Sequence, residues 1–235
     1  LWFDVMPGVV TPSAAQLLAA LGALAIVVGS VVALRQERLK LLVAYSTIAQ
    51  IGYLFLMFPL AFGDGGLVHG DVLTGGVLQA ISHATAKAGM FMAAGLVYAA
   101  LGHDRIQDLA GVARAMPITV LAFAIGGLAL MGVVPSGAYL AKKLLLGAAD
   151  ASGQWWWTVV LQGGAAFTAG YVVLFLARVT RAAPAPLAFA RPVRRMPQLA
   201  ALALSLASLL LALATLGPVS PQLLGNPLAP KELAV

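Results

Sequence analysis

The stretch VLTGGVLQAISHATAKAGMFMAAGLVYAAL, residues 72–101, decides the fold and carries the main clue to function. It is long enough to cross the ~30 Å hydrocarbon core of a bilayer, which takes about 20 helical residues. Lys87 lies near its middle, and no Asp or Glu falls between Asp71 and Asp104 to neutralise it. A lysine at the bilayer centre costs from about 3 to more than 10 kcal/mol, so a functional role is expected.

His83 precedes Lys87 by four residues, which places both side chains on one face of a helix. Imidazole exchanges protons near neutral pH, and an amine in a dry site can exist without its proton. The spacing therefore indicates part of a proton path.

The composition predicts an all-α integral membrane protein with several spans. Hydrophobic residues make up 61% of the chain and charged residues only 9%, with a mean hydropathy of +0.96. The absence of cysteine excludes disulfides, thiolate metal sites and thiol catalysis. We expect no cofactor and no metal ion, so any electron-transfer centre must belong to another chain. The net charge of +6 lies mostly in loops and does not indicate nucleic-acid binding.

About six apolar segments are long enough to span a membrane. They are Ser13–Leu34, Leu41–Phe62, Val72–Leu101, Pro117–Ala149, Trp155–Ala177 and Gln198–Leu216. Alternate loops carry the positive charge, which by the positive-inside rule makes those loops cytoplasmic and places both termini outside. The bases of these loops are Arg35, Arg38, Lys40, Arg105, Arg114, Arg178, Arg181, Arg191, Arg194 and Arg195.

The fourth segment is too long for one straight span and contains a helix-breaking run. Pro135 lies between Gly132 and Gly137, and a proline there removes a hydrogen bond and frees backbone carbonyls. Broken helices at membrane depth commonly mark ion sites. Lys142 follows the break by about two turns and is a candidate site residue. Lys143 either joins it or extends to the membrane interface.

The second segment has its own polar residues. Ser46, Thr47, Gln50 and Tyr53 are candidates for lining a water path. Hydrogen bonding between helices explains the same residues, and the pattern alone leaves both readings open.

Several motifs together resemble one family. They are LKLLVAYSTIAQIGY at residues 39–53, HATAKA at 83–88, Pro117, and the Pro135 break leading to Lys142. In this order they are similar to the antiporter-like subunits of the complex I superfamily. The superfamily includes the proton-pumping membrane subunits of respiratory complex I, their relatives in membrane-bound hydrogenases, and the Mrp-type sodium/proton antiporters. The resemblance extends from about Pro12 to Ala177.

The resemblance implies a place within a fold of fourteen transmembrane helices that contains two inverted repeats of five helices. Residues 13–177 would form the second repeat with its one broken helix. Residues 178–235 would supply a basic cytoplasmic loop, the closing helix and an external tail, and residues 1–12 the tail of a preceding helix and an external loop. Whether the first repeat belongs to the same polypeptide or to a separate one stays open.

The resemblance also implies roles for individual residues. Lys87 resembles the lysine of the second half-channel, and His83 the histidine beside it. Lys142 resembles the terminal lysine or glutamate of the broken helix. Lys143 departs from the family pattern, because many relatives carry an acid at that position.

These expectations define a function with two alternatives. The chain is expected to translocate protons in a bacterial or archaeal cell membrane as a non-redox subunit of a complex I-type respiratory or hydrogenase complex. Its partners would be the lipid bilayer and other membrane subunits, including homologous antiporter-like ones. One alternative is an Mrp-type antiporter subunit that exchanges Na⁺ or K⁺ for protons. The other is a membrane scaffold subunit without transport.

Overall fold

A computed structural model describes residues 11–63, 66–67, 70–183 and 187–214, and almost all of this part is helical. Two short strands, Phe62–Gly63 and Gly66–Leu67, form an antiparallel pair that the sequence did not predict. The helices are α1 Pro12–Leu34, α2 Leu39–Phe55, α3 Met57–Leu60, α4 Gly70–Leu101, α5 Val112–Ala115, α6 Pro117–Met131, α7 Gly137–Ala151, α8 Trp155–Val179, α9 Arg195–Leu209 and α10 Leu211–Ala214, and the strands are β1 Phe62–Gly63 and β2 Gly66–Leu67.

The expected all-helical membrane fold is confirmed, whereas the count of six spans and the place in a fourteen-helix fold stay predictions. Within the described ranges, four helical stretches are long and apolar enough to cross a bilayer, and α6 is a shorter apolar helix. The four stretches are Pro12–Leu34, Leu39–Leu60, Gly70–Leu101 and Trp155–Val179. The last apolar segment is seen as α9 and α10. Two proposed segments lie outside the described residues. They are the tail and loop at residues 1–12, apart from the last two residues, and the external tail after residue 214.

The break in the fourth segment separates α6 from α7. Gly132 ends α6 in the left-handed conformation, with φ of 88°, where a residue with a side chain would be strained. Ser136 then caps α7, since its hydroxyl accepts a hydrogen bond from the Tyr139 amide at 3.0 Å. The Gly-Pro-Gly pattern therefore produces two half-helices, as predicted, and the carbonyls at the end of α6 are left without partners of their own helix.

Helix α4 lies at the centre of the bundle. It packs against α2, α6, α7 and α9, and half of its spanning window is buried. Two close approaches of glycine bring the neighbouring helices near: Gly126 of α6 lies against Met90 and Ser205, and Gly52 of α2 lies against the backbone of α1. Three polar residues of α4, Gln79, Ser82 and Lys87, are buried and face the protein interior.

The three basic loops meet at one end of the bundle, which agrees with the assignment of all of them to one side. The backbones of Arg38 and Arg105 pair across two loops, and the Gly111 amide donates to the Arg181 carbonyl at 2.8 Å. Asp104 is buried there and caps α2, since its carboxylate accepts from the Lys40 amide at 3.1 Å.

Candidate functional site

Lys87 is buried in the bundle between α4, α2 and α8, with 4% of its surface exposed. Its Nζ donates to the Ser46 hydroxyl at 2.5 Å and to the Val43 carbonyl at 3.3 Å, both on α2. The amine also lies 5.9 Å from the centre of the Tyr171 ring on α8. The amine thus has specific partners, as a group placed for function would, and these partners are neutral oxygens and an aromatic face.

Lys142 is the second buried amine, and the helix break explains its position. It extends from α7 to the end of α6, where Nζ donates to the carbonyls of Met131 at 3.0 Å and Leu130 at 3.4 Å. These carbonyls belong to the last turn of a helix, where the dipole favours a cation. The Tyr53 ring of α2 lies 5.2 Å from the same amine. The broken helix therefore supplies the ligands of Lys142.

The other two candidates of the proton path occupy different positions. His83 is half-buried on α4, one turn from Lys87, and its Nδ1 is buried without a hydrogen-bond partner among the described residues. Lys143, beside Lys142 on α7, is half-buried.

One face of α2 joins the two amines. Ser46 contacts Lys87, Tyr53 contacts Lys142, and Gln50 lies between them on the same face. We call Ser46, Gln50 and Tyr53 the polar face of α2. Seven residues separate its ends, a rise of about 10 Å along the helix. Thr47 is not part of this face, since it follows Ser46 by one residue and therefore points about 100° away around the helix; its hydroxyl donates to the Val43 carbonyl at 2.9 Å.

Three polar residues that the sequence analysis missed extend this face to the neighbouring helices. Gln50 Nε2 donates to Thr168 of α8 at 3.0 Å and reaches the Tyr171 hydroxyl at 3.5 Å. Gln50 Oε1 accepts from Gln79 Nε2 of α4 at 3.3 Å. The spacing could have revealed Gln79, which precedes His83 by four residues and Lys87 by eight. Thr168 and Tyr171 gave no such signal in an apolar helix.

This geometry can support proton exchange between two buried amines. Hydroxyl groups and ordered water can donate and accept at once, so they can pass a proton between sites that do not touch. The carboxamide of Gln50 does not itself change charge, but it fixes the orientation of neighbouring donors and acceptors. The polar face of α2 therefore places polar groups in the apolar core between the two amines.

Taken together, these features define an all-helical integral membrane protein with a broken helix at a buried lysine. Residues 2–168 match the family described as NADH:quinone oxidoreductase/Mrp antiporter, transmembrane. The chain belongs to this family, so the resemblance seen in the sequence is confirmed.

A curated relative is similar over the same region. NADH-quinone oxidoreductase subunit N of Desulforudis audaxviator is 36% identical over 167 residues, which are 70% of this chain and 31% of the relative. The chain thus spans about a third of the length of that relative.

Two solved structures have the same fold. A chain of respiratory complex I from Thermus thermophilus is 29% identical with a TM-score of 0.60, covering 85% of this chain and 44% of that one. A chain of the Mrp complex from Dietzia sp. DQ12-45-1b has a TM-score of 0.73 at 21% identity, covering 86% of this chain and 44% of that one. The second likeness shows the fold alone.

Proposed function

We propose that this chain translocates protons as part of an antiporter-like subunit in a multi-subunit membrane complex of the respiratory or hydrogenase type. The observation that carries the proposal is the connection of two buried amines, Lys87 and Lys142, by the polar face of α2. Burying two lysines in a membrane protein is costly, and each has dedicated partners on another helix. A scaffold without transport would have no use for this arrangement.

In this proposal Lys87 exchanges protons with His83 and with bound water near the middle of the bundle. The proton then passes along hydroxyls and bound water beside the polar face of α2 to Lys142. The end of α6 favours a cation at Lys142, so a proton that arrives there is held until it leaves toward the other side of the membrane. Lys143 would assist that exit from its half-buried position on α7.

The proposed partners are other membrane subunits, including homologous antiporter-like ones, and the surrounding lipid. The relatives support this, because their names describe subunits or chains of multi-subunit complexes. Electron transfer, where such a complex performs it, is assigned to other subunits.

The proposal is tested with the purified membrane assembly that contains this chain, reconstituted into lipid vesicles. A potassium gradient with valinomycin imposes a membrane potential, and a trapped pH-sensitive dye reports proton entry, so no electron donor needs to be known. Lys87→Met keeps the length of the side chain and removes the charge. We expect it to reduce proton entry to the level of vesicles without protein.

The matched control is Lys40→Met, which removes a lysine at the basic end, where its amine lies 3.8 Å from the centre of the Tyr98 ring. We expect native proton entry for this variant. Native proton entry in Lys87→Met with a full set of subunits would refute the proposal. A second experiment imposes a sodium gradient instead of a membrane potential. Proton movement opposite to the movement of sodium, and absent in Lys87→Met, would assign the Mrp-type exchange of sodium for protons.

A further inference from the structure

We infer that Gln79 is a further positioning residue of the path, whose side-chain oxygen binds a water molecule or hydrated proton between the Lys87 and Lys142 sites. The inference rests on the proposed proton translocation and adds a residue and a ligand that the two lysines do not imply.

The position of Gln79 along α4 is intermediate between the two amines. It lies eight residues before Lys87, a rise of about 12 Å. One turn further, α4 meets α7 beside Lys142, because a methyl group on Gly75 would lie 3.2 Å from the carbonyl oxygen of Ala141. Gln79 is 1% exposed, so its carboxamide faces the protein interior at this intermediate height.

The hydrogen bonds around Gln79 run in one direction. The Thr168 hydroxyl donates to the Gly164 carbonyl at 3.0 Å, so toward Gln50 it acts as an acceptor. This orients the Gln50 amide group toward α8 and its oxygen toward α4. That oxygen in turn accepts from Gln79 Nε2 at 3.3 Å. The order of donors from α4 to α8 therefore fixes the orientation of both carboxamides.

As a consequence, the side-chain oxygen of Gln79 lies at the end of this series of hydrogen bonds. Gln79 Oε1 is buried and accepts no hydrogen bond from any residue that the structure describes. A buried acceptor without a donor costs about 1–3 kcal/mol, which is a driving force to bind an O–H donor. Because the oxygen can only accept, the ligand it selects is a donor: water or a hydrated proton, and not an anion.

His83 supplies a second contact for the same ligand. Its Nδ1 is likewise buried without a partner in the described ranges, and it lies one turn from Gln79 on α4. Side chains spaced in this way are about 6 Å apart at Cβ, a separation that one water molecule can bridge with two hydrogen bonds. The ligand would thus connect the His83 and Lys87 end of α4 with the carboxamides of Gln79 and Gln50.

The test compares four variants of the whole assembly in the vesicle assay described above. Gln79→Met removes both polar atoms at nearly constant length, and Gln79→Glu retains an oxygen acceptor. Gln198→Met is the matched control: Gln198 is also a buried glutamine, bonded to Thr119 at 3.1 Å between α6 and α9, away from the lysines. Lys87→Met reports on the proposed function itself.

We expect Gln79→Met to slow proton entry about tenfold, the effect of losing one buried hydrogen bond to the moving proton, with Gln198→Met near native. Gln79→Glu should recover much of the rate, since a role in helix packing alone would not depend on the acceptor. Equal rates in Gln79→Met and Gln198→Met, with Lys87→Met inactive, would refute the inference and leave the proposed function intact. Native rates in Lys87→Met would refute both.

A structure of the native assembly at a resolution that shows water provides a test that does not depend on variants assembling correctly. Ordered density within hydrogen-bond distance of Gln79 Oε1 is expected. An acceptor surrounded only by apolar atoms would overturn the inference.

Discussion

Gly164 gives the sharpest prediction about how the bundle holds the site together. A methyl group at this position of α8 would overlap the Tyr53 hydroxyl, and it would lie 2.8 Å from Tyr53 Cζ and 2.9 Å from Ile26 Cγ2. Tyr53 and Ile26 are each 1% exposed, so neither side chain can move into open space. Overpacking of this kind costs about 1–3 kcal/mol, and we expect Gly164→Ala to destabilise the protein by this amount.

A second substitution, Tyr53→Phe, distinguishes the effect of the hydroxyl from the effect of the ring. The Tyr53 hydroxyl has no hydrogen-bond partner among the described residues, so Tyr53→Phe alone should cost little. In the double variant, Gly164→Ala with Tyr53→Phe, the overlap between the new methyl group and the hydroxyl disappears, while the close contact with Cζ of residue 53 remains. We therefore expect the double variant to be more stable than Gly164→Ala but less stable than the native protein, which gives a favourable coupling energy in a double-mutant cycle.

The assay is thermal unfolding of the purified assembly in detergent, with proton entry into vesicles as a second readout. Because the Tyr53 ring lies 5.2 Å from the Lys142 amine, displacement of the ring should also slow proton entry. Gly163→Ala is the control, since nothing lies within 4 Å of a methyl group on this neighbouring glycine. Equal stability of the two alanine variants, or additive effects in the cycle, would refute the reasoning.

Three further predictions concern the remaining contacts. Ser46→Ala removes the hydroxyl beside Lys87 and should slow proton entry at least about tenfold, since a hydrogen bond to a charged group contributes about 1.5–3 kcal/mol. Thr85→Val is the control and should not slow proton entry, because the Thr85 hydroxyl bonds to carbonyls of its own helix. Lys142→Met should abolish proton entry and Lys143→Met should only reduce it, because Lys142 is buried and Lys143 only half-buried; equal losses would contradict this distinction. Gly52→Ala should destabilise the bundle by about 1–3 kcal/mol in thermal unfolding, because the methyl group would meet the α1 backbone; native stability would show that α1 can move away.

The sequence predicted much of the fold because the membrane simplifies the physics. Long apolar segments must become helices in lipid, where each backbone group needs an internal partner. The break at Gly132 and Pro135 was predicted for the same local reason, since a proline cannot continue the hydrogen-bond ladder. The short β1–β2 pair was missed because it depends on the conformation of one loop and leaves no periodic pattern.

The candidate site was only partly predictable. A charge in an apolar segment is conspicuous, so Lys87 and Lys142 were found, and the structure places both in buried sites. Their partners depend on which helix faces meet, which is a tertiary property. The spacing of Ser46, Gln50 and Tyr53 allowed either helix packing or a water path. The sequence analysis also proposed Thr47, which lies outside the face that the two amines share. Gln79 could have been noticed from its spacing to His83 and Lys87, but its bond to Gln50, like that of Thr168, appeared only once α2, α4 and α8 were placed side by side.

The ligands of the two amines bear directly on how a relay could work. A carboxylate beside a buried lysine would bind the ammonium form far more strongly than the neutral amine and would hold the proton in place. Here the partners are the Ser46 hydroxyl at Lys87 and backbone carbonyls at both lysines. These oxygens bind a charged ammonium, and they also accept the N–H groups of a neutral amine, so neither state is left without hydrogen bonds. A site that satisfies both forms can gain and lose a proton without rearranging its helices, which is what a relay step between two fixed lysines requires.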